Sequence, residues 1–467
     1  MEYLNKLVSP NVRSGIQKMV LELSLFQYQI LVGICAFFVA YLIGNLINRL
    51  RSNFPPGPIG LPIVGYLPFL SKNIHLDLIE LGKKYGDIFS VRLGSENIVI
   101  LHGADIIREA LAKPELLGRH PDNPIKALNP FSAFFVRDVH VWKEQRRFVV
   151  QTMRDLGLGR TKIEEDVLDE INHFLEVLKN KNGQPIDVKD PLSPSMSNNI
   201  CALVFGKRYE YDDPDRKLLD KNLDEGNEFL SQTSASLFFP WIRFIPFHNK
   251  FLHIEKAKAA FDNIRNFFRQ EIQKHIKSLD SRNIRDFIDG YLVEMKTQQE
   301  KNPNTTFNGT ERNPEFLDLK SMPYTHAVLL EQMRWKTIVP LNLIHYSLAD
   351  TKVGGYDIPK DTMVMANFWQ AHNDPRYWDE PEKFKPERFL SKDGRSVVQS
   401  KYFMGFSLGK RVCPGESMAY LEMFLYFTSL LQKFDIVFPP GTKPTFDAKL
   451  TITYRLDPFK VQFIPKH

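Results

Sequence analysis

The sequence predicts a mainly α-helical protein with a small β portion, preceded by a hydrophobic anchor helix. Three observations carry that expectation. Apolar residues three and four apart recur from Val139 to about Phe287, and again in the stretches that begin at Tyr324 and Glu416. Alternating, β-branched stretches are confined to the neighbourhood of Gly94 and to residues 351–368. Residues 23–48 hold no Asp, Glu, Lys, Arg or His.

A chain of 467 residues with 43% hydrophobic and 25% charged residues can bury a large core, and the composition is that of a globular protein. The net charge of +6 is too small to argue for nucleic acid and suits an acidic protein partner or an anionic membrane surface. Cys35, Cys201 and Cys413 are too scattered for a disulfide framework or a paired-cysteine zinc site, which points to a reducing, cytosolic setting. There is no HExxH, no GxGxxG and no Walker lysine loop. The sequons at Asn304 and Asn308 read as chance matches in an Asn-rich loop.

Along the chain, residues 1–22 form an N-terminal segment and 23–48 the anchor. A helix needs about 20 apolar residues to cross a bilayer, and the run reaches that length. It ends in NLINRLRSN rather than at a small-residue cleavage site, so it reads as an uncleaved transmembrane anchor. Lys6, Arg13 and Lys18 on one side and Arg49 and Arg51 on the other leave its orientation open on charge alone. Residues 49–70 include FPPGPIGLPIVGYLPFL, whose prolines make a stiff extended hinge. The remaining 71–467 form one catalytic domain.

Within that domain IFSVRLGSENIVILHG predicts a hairpin and ADIIREALAK a helix. The bundle that follows includes DEINHFLEVLK and AFDNIRNFFRQEIQKHIK. Met295 to Pro323 is polar and broken by Pro303 and Pro314, hence a loop. Helix resumes at YTHAVLLEQMRWK. Short strands fall in TKVGGYDIPKDTMVMANF, and ESMAYLEMFLYFTSLLQKF is a helix apolar almost all round, hence a core helix.

Immediately before that last helix stands FSLGKRVCPGE. Phe406, Gly409, Arg411, Cys413 and Gly415 give the spacing FxxGxRxCxG. Glycines here let the backbone turn and approach a flat ligand closely. A cysteine ahead of a helix N-terminus, with Lys410 and Arg411 beside it, is placed where a thiolate is favoured, the form that a soft metal binds. The core helix behind it places this cysteine deep inside the protein.

The pattern resembles the cysteine-ligand loop of the haem-thiolate monooxygenases, the cytochrome P-450 superfamily. The resemblance covers most of the chain after the anchor. EQMR (Glu331 to Arg334) is similar to the family's ExxR, and PERF supplies Arg388; in the family these three form a structural charge cluster behind the haem. WKEQR is similar to the WxxxR helix whose Trp142 and Arg146 reach haem propionates, and Arg411 and His345 match further propionate positions. Read without the family, Trp142 is a packing residue and His345 a satisfied core or surface histidine.

The resemblance implies a cytochrome P-450-like fold with haem b bound by Cys413, and Phe406, Gly409 and Gly415 around it. It implies a membrane-bound enzyme of the endoplasmic reticulum, facing the cytosol. The implied reaction inserts one oxygen atom of dioxygen into a steroid, fatty acid or xenobiotic, with electrons from an NADPH-dependent flavoprotein reductase. Lys143, Arg147, Lys401 and Lys410 are docking candidates for that partner, or ordinary solvated cations. Substrate contacts are implied for Phe131 to Phe135, Phe229 to Leu237, Val339 to Leu343 and Thr451 to Thr453. The family's oxygen-activating helix, with its AGxxT-like sequence, is not found between YLVEM and LKSMPYTHAVLLEQMR, so it is expected to be missing near 296–320. Two other readings therefore stand: a haem-thiolate isomerase or dehydratase that needs no reductase, and a non-catalytic truncated isoform.

Overall fold

The computed structural model describes residues 52–121, 138–156, 161–233, 235–280, 285–293, 322–442, 448–450 and 452–466, with parts of 27–47. Residues 295–321 of the expected loop, the sequons and Phe131 to Phe135 lie outside the described residues, as does part of the anchor, and Pro323, expected to end the loop, already opens a helix. Residues 36–41, inside the anchor stretch, are helical; among the described residues no helix is long and apolar enough to cross a membrane.

The hinge leads into helix α1 (Ile74–Tyr85), which buries His75, Leu78 and Leu81 and stops at Gly86. The expected hairpin follows as β1 (Ile88–Leu93) and β2 (Glu96–Leu101), paired antiparallel with Ile88 opposite Leu101. The turn between them holds Gly94 at a φ of +60°. Both strands are buried along most of their length, which fits their run of Ile, Val and Leu. Helix α2 (Ala104–Ala112) packs beneath them through Ile107, Ala110 and Leu111.

The predicted helical region is present as α3 (Val139–Asp155), α4 (Thr161–Lys179), α5 (Lys189–Phe205), α6 (Pro214–Thr233) and α7 (Ile254–Ser278). A two-residue strand β3 (Ile186–Asp187) separates α4 from α5. Helix α8 (Pro323–Trp335) carries ExxR and begins on a proline, a residue suited to a first helical turn. Strands β4 (His345–Tyr346), β5 (Thr351–Val353), β6 (Tyr356–Ile358) and β7 (Met363–Ala366) come next, then the short helix α9 (Phe368–His372). Strand β7 joins β2 in parallel and β4 in antiparallel register, giving a sheet ordered β1-β2-β7-β4.

Helix α10 (Glu416–Lys433) is the core helix that the sequence predicts. Its Leu421, Phe424, Leu425 and Tyr426 share one hydrophobic cluster with Ile171, Phe174 and Leu178 of α4 and Leu329 of α8. This packing fixes the start of α10, and with it the cysteine loop, between the helical bundle and the ExxR helix. Strands β8 (Phe434–Val437), β9 (Ala448–Leu450), β10 (Tyr454–Leu456) and β11 (Lys460–Pro465) close the chain, with β11 pairing back to β3 and β8.

Candidate functional site

The loop before α10 is closed by its own backbone. Ser407 donates its N–H to Met404 O at 3.1 Å, Val412 to Gly409 O at 3.2 Å, and Cys413 to Phe406 O at 2.9 Å. Gly409 has φ +69°, and a Cβ there would sit 2.3 Å from the Leu111 carbonyl oxygen. A glycine is therefore required here by the turn and by α2. A Cβ on Gly415 would stand 3.8 Å from the Cys413 sulfur, an ordinary contact. Phe406 packs its ring 5.2 Å from that of Tyr420.

Cys413 is exposed, which corrects the expectation that it lies deep inside. The apolar surround of α10 begins to bury side chains at Met418, and Cys413 stands ahead of the first turn, beyond the end of that cluster. Cys201, by contrast, is buried on α5, and burial pushes its thiol up to about 11.

Beside the loop three guanidiniums gather. Arg411 is buried, donates from Nε and Nη2 to Leu117 O at 3.1 and 2.7 Å, and lies with its central carbon 3.9 Å from the centre of the Trp142 ring. Arg146, one turn along α3, places its own 5.9 Å from the same ring. Trp142 is buried, so the ring is at once the packing residue of the plain reading and a platform for two cations. Arg119 is the third, a lone Arg after Gly118 that no sequence motif singles out. It is buried, donates from Nη1 to Ile344 O at 3.4 Å, and keeps a buried Nε with no hydrogen-bond partner among the described residues.

The electrostatics of this group are unfavourable by themselves. Burial, and then Arg119 and Arg146, bring Arg411 down to about 9. Burial brings Arg119 down to about 10, and burial also lowers Arg146, against the opposing pull of Cys413. Mutually repelling, desolvated cations with an orphaned donor call for an anionic group.

His345 sits on β4 near Arg119 and Arg411. Burial and these two cations push it down to about 3, so the ring is neutral. Its Nδ1–H donates to Leu116 O at 2.5 Å, and Nε2 accepts from Asn342 Nδ2 at 3.4 Å. The imidazole therefore belongs to the group by position, with both nitrogens already bonded to protein.

On the other side of the loop, Arg334 donates from Nε and Nη2 to both carboxylate oxygens of Glu331 at 2.7 Å, with both side chains fully buried. Arg388 adds Nε to Glu331 Oε1 at 3.2 Å, and the Lys385 N–H donates to the same oxygen at 2.9 Å. Arg334 Nη1 also reaches His372 O at 2.7 Å, and Arg388 Nη1 reaches Asp379 O at 2.8 Å. The three residues named from sequence thus form one cluster that ties α8 to the irregular segment before the cysteine loop.

Lys143, Arg147, Lys401 and Lys410 are all exposed. Of the expected substrate contacts, Val339 to Leu343 follows α8, and the neighbouring Ile338 O accepts from the N–H of Tyr454, the first residue of β10, at 2.7 Å; Thr451 lies outside the described residues.

An accessible thiol beside a helix N-terminus, facing desolvated guanidiniums, fits a haem with its two carboxylates. The fold and site are thus those of a haem-binding oxidoreductase. The chain matches the family model Cytochrome P-450 in two segments, residues 55–311 and 304–463. It is 32% identical to Cytochrome P-450 2J2 of Homo sapiens over 482 aligned positions, covering 91% of this chain and 93% of that one. It is 33% identical to Cytochrome P-450 2J1 of Oryctolagus cuniculus over 482 positions, with 91% and 93% covered. It is 30% identical to Cytochrome P-450 18a1 of Drosophila melanogaster over 499, with 93% and 91% covered. The chain belongs to the cytochrome P-450 family and with it to the haem monooxygenases. These alignments are longer than the 467 residues of the chain, so they cross gaps on its side.

Proposed function

We propose that this chain is a membrane-anchored monooxygenase that binds haem b through Cys413 and oxidises a lipophilic substrate, a steroid, fatty acid or xenobiotic. One observation carries the reading: the Cys413 loop and the Arg411, Trp142, Arg146 and Arg119 group lie side by side, sulfur ligand and anion site together. Arg411 and Arg146 hold the propionates, Arg119 Nε gives a further donor, and Trp142 keeps the guanidinium of Arg411 aligned by stacking. Cys413 supplies the thiolate. Glu331, Arg334 and Arg388 hold the segment that leads into the loop. The bound haem would supply dioxygen activation, aided by electron donation from the sulfur. Electrons come from an NADPH-dependent flavoprotein reductase, for which Lys143, Arg147, Lys401 and Lys410 offer an exposed basic face. The relatives it resembles and the apolar run at 23–48 support a place in the endoplasmic reticulum membrane, with the domain in the cytosol.

A second reading is favoured by the sequence of the 296–320 interval, which contains no AGxxT-like motif. A haem-thiolate isomerase or dehydratase that rearranges a peroxide needs no acid-alcohol pair of that kind and would turn over without NADPH. The first experiment is the carbon monoxide difference spectrum of the reduced protein. A strongly red-shifted Soret band supports Cys413 as thiolate ligand; its absence overturns both readings and leaves the non-catalytic isoform. With the band present, dependence of product formation on NADPH and reductase separates the first from the second.

A further inference from the structure

His372, the last residue of α9, is fully buried and belongs to none of the motifs that define the family resemblance. Its ring spans two parts of the site. Nε2 accepts the Met404 N–H at 2.8 Å, and Nδ1 faces Thr337 Oγ1 at 2.8 Å. The Thr337 hydroxyl in turn donates to Arg334 O at 3.0 Å. A backbone N–H can only donate, so Nε2 carries no proton; a neutral ring then carries its proton on Nδ1 and gives it to Thr337. Burial and the Arg334 charge push the ring down to about 3, so it is neutral at physiological pH. It also stacks on Phe403, with ring centres 5.6 Å apart and planes 14° from parallel. Its own carbonyl accepts from Arg334 Nη1 at 2.7 Å.

The consequence lies at Met404. This residue opens the turn that ends in the cysteine: its carbonyl accepts from Ser407, and Phe406 O accepts from Cys413 N–H. Through His372 the ExxR helix therefore holds the entrance of the cysteine loop by a directional bond as well as by the charge cluster. We infer that His372 is a positioning residue for the Cys413 loop, acting as the fixed acceptor for the Met404 amide. The inference rests on the proposal that Cys413 is the haem ligand only for its functional meaning; the positioning itself is a property of the polypeptide.

Two substitutions separate the two ring nitrogens. In His372→Gln the amide oxygen falls near the place of Nε2 and can take the Met404 N–H. In His372→Asn the amide nitrogen falls near Nδ1 and can serve Thr337, leaving Met404 without an acceptor. His372→Phe keeps the stacking on Phe403 and removes both bonds. Hydrogen exchange at the Met404 amide is read in the full chain without haem, and the red-shifted carbon monoxide band is read as a fraction of bound haem. The expected result is exchange faster by roughly tenfold or more in the Asn and Phe variants, and within about twofold of the parent in the Gln variant. The thiolate band should follow the same order. Equal behaviour of Gln and Asn, whether both intact or both impaired, overturns the inference, because packing alone does not distinguish them. Should the parent chain give the expected exchange pattern without a thiolate band, the haem reading fails and the positioning role stands. Nitrogen NMR of the histidine-labelled parent needs no variant to fold: a ring protonated on Nδ1 supports the assignment, and one protonated on Nε2 overturns it.

Discussion

The Arg411 guanidinium lies over Trp142 with its central carbon 3.9 Å from the ring centre, while two of its donors converge on the single carbonyl of Leu117. Two bonds to one oxygen fix the direction of the fork, and the ring covers the central carbon. Arg411 and the neighbouring Arg119 and Arg146 repel one another at an electrostatic cost that burial magnifies. A site with that excess of positive charge is prepared for an anion before the anion arrives.

Trp142 should therefore matter for haem retention more than for folding. Trp142→Phe keeps a smaller platform and should bind haem a few-fold more weakly; Trp142→Ala should weaken it by about tenfold or more, since a desolvated cation–π contact is worth about 2 kcal/mol. Haem titration followed at the Soret band measures this, and unchanged affinity in the alanine variant contradicts the platform role.

Glu331→Gln should be among the most damaging single changes outside the site. It leaves Arg334, fully buried, facing a neutral amide, and breaking one side of a buried ion pair costs about 3–5 kcal/mol. Arg388→Ala should cost clearly less, because Arg388 holds Glu331 through one bond of 3.2 Å and is not fully buried. The denaturation midpoints of the two variants give the order directly.

Acid should unfold the protein over a window set by its buried neutral histidines, of which His75 and His102 are brought down to about 4 by burial. His345 and His372 are held to about 3 by burial and nearby arginines, while unfolded rings protonate near 6.5. Between about 4 and 6.5 the unfolded chain binds up to four more protons through these rings, so stability falls as pH drops, by up to about 1.4 kcal/mol per pH unit for each ring. Above the unfolded value none of these rings contributes a pH dependence. Stability measured from pH 7 downward should show this slope, and His372→Gln should remove one proton from it.

Gly409→Ala should fail for backbone reasons. The residue is at φ +69°, and the added Cβ would meet the Leu111 carbonyl at 2.3 Å. Strain of this kind costs of order 1–3 kcal/mol before the collision is counted. The alanine variant should express poorly or lose haem, with melting temperature as the measure; a parent-like melt would mean that the loop and α2 can separate freely.

What the sequence made legible was local. The β1–β2 hairpin, α8 with Glu331 and Arg334 one turn apart, and α10 each write their periodicity in consecutive residues. The charge cluster was readable because Arg388 sits in a recognisable tetrapeptide. Arg119 and His372 were not, since their significance comes from partners 225 and 32 positions away in sequence, Ile344 O and Met404 N–H. The depth of Cys413 was misjudged because the hydrophobicity of a helix speaks for its own face and not for the residues that precede it.

The interval at 296–320 offers the sharpest functional test. The two segments that match the family model meet at residues 304–311, inside this polar stretch. Grafting the corresponding segment of human Cytochrome P-450 2J2 between Met295 and Pro323 should add the oxygen-side helix without touching Cys413, Arg411 or Trp142. If the parent chain is a monooxygenase limited by that helix, the graft should raise NADPH-dependent product formation while the carbon monoxide spectrum of the reduced protein stays the same. If the parent is an isomerase or dehydratase, its NADPH-independent turnover should be present beforehand and fall on grafting, because a new helix would occupy the face where its substrate binds. Measuring both activities and the spectrum on parent and graft together separates a haem site that needs its distal cover from one that works without it.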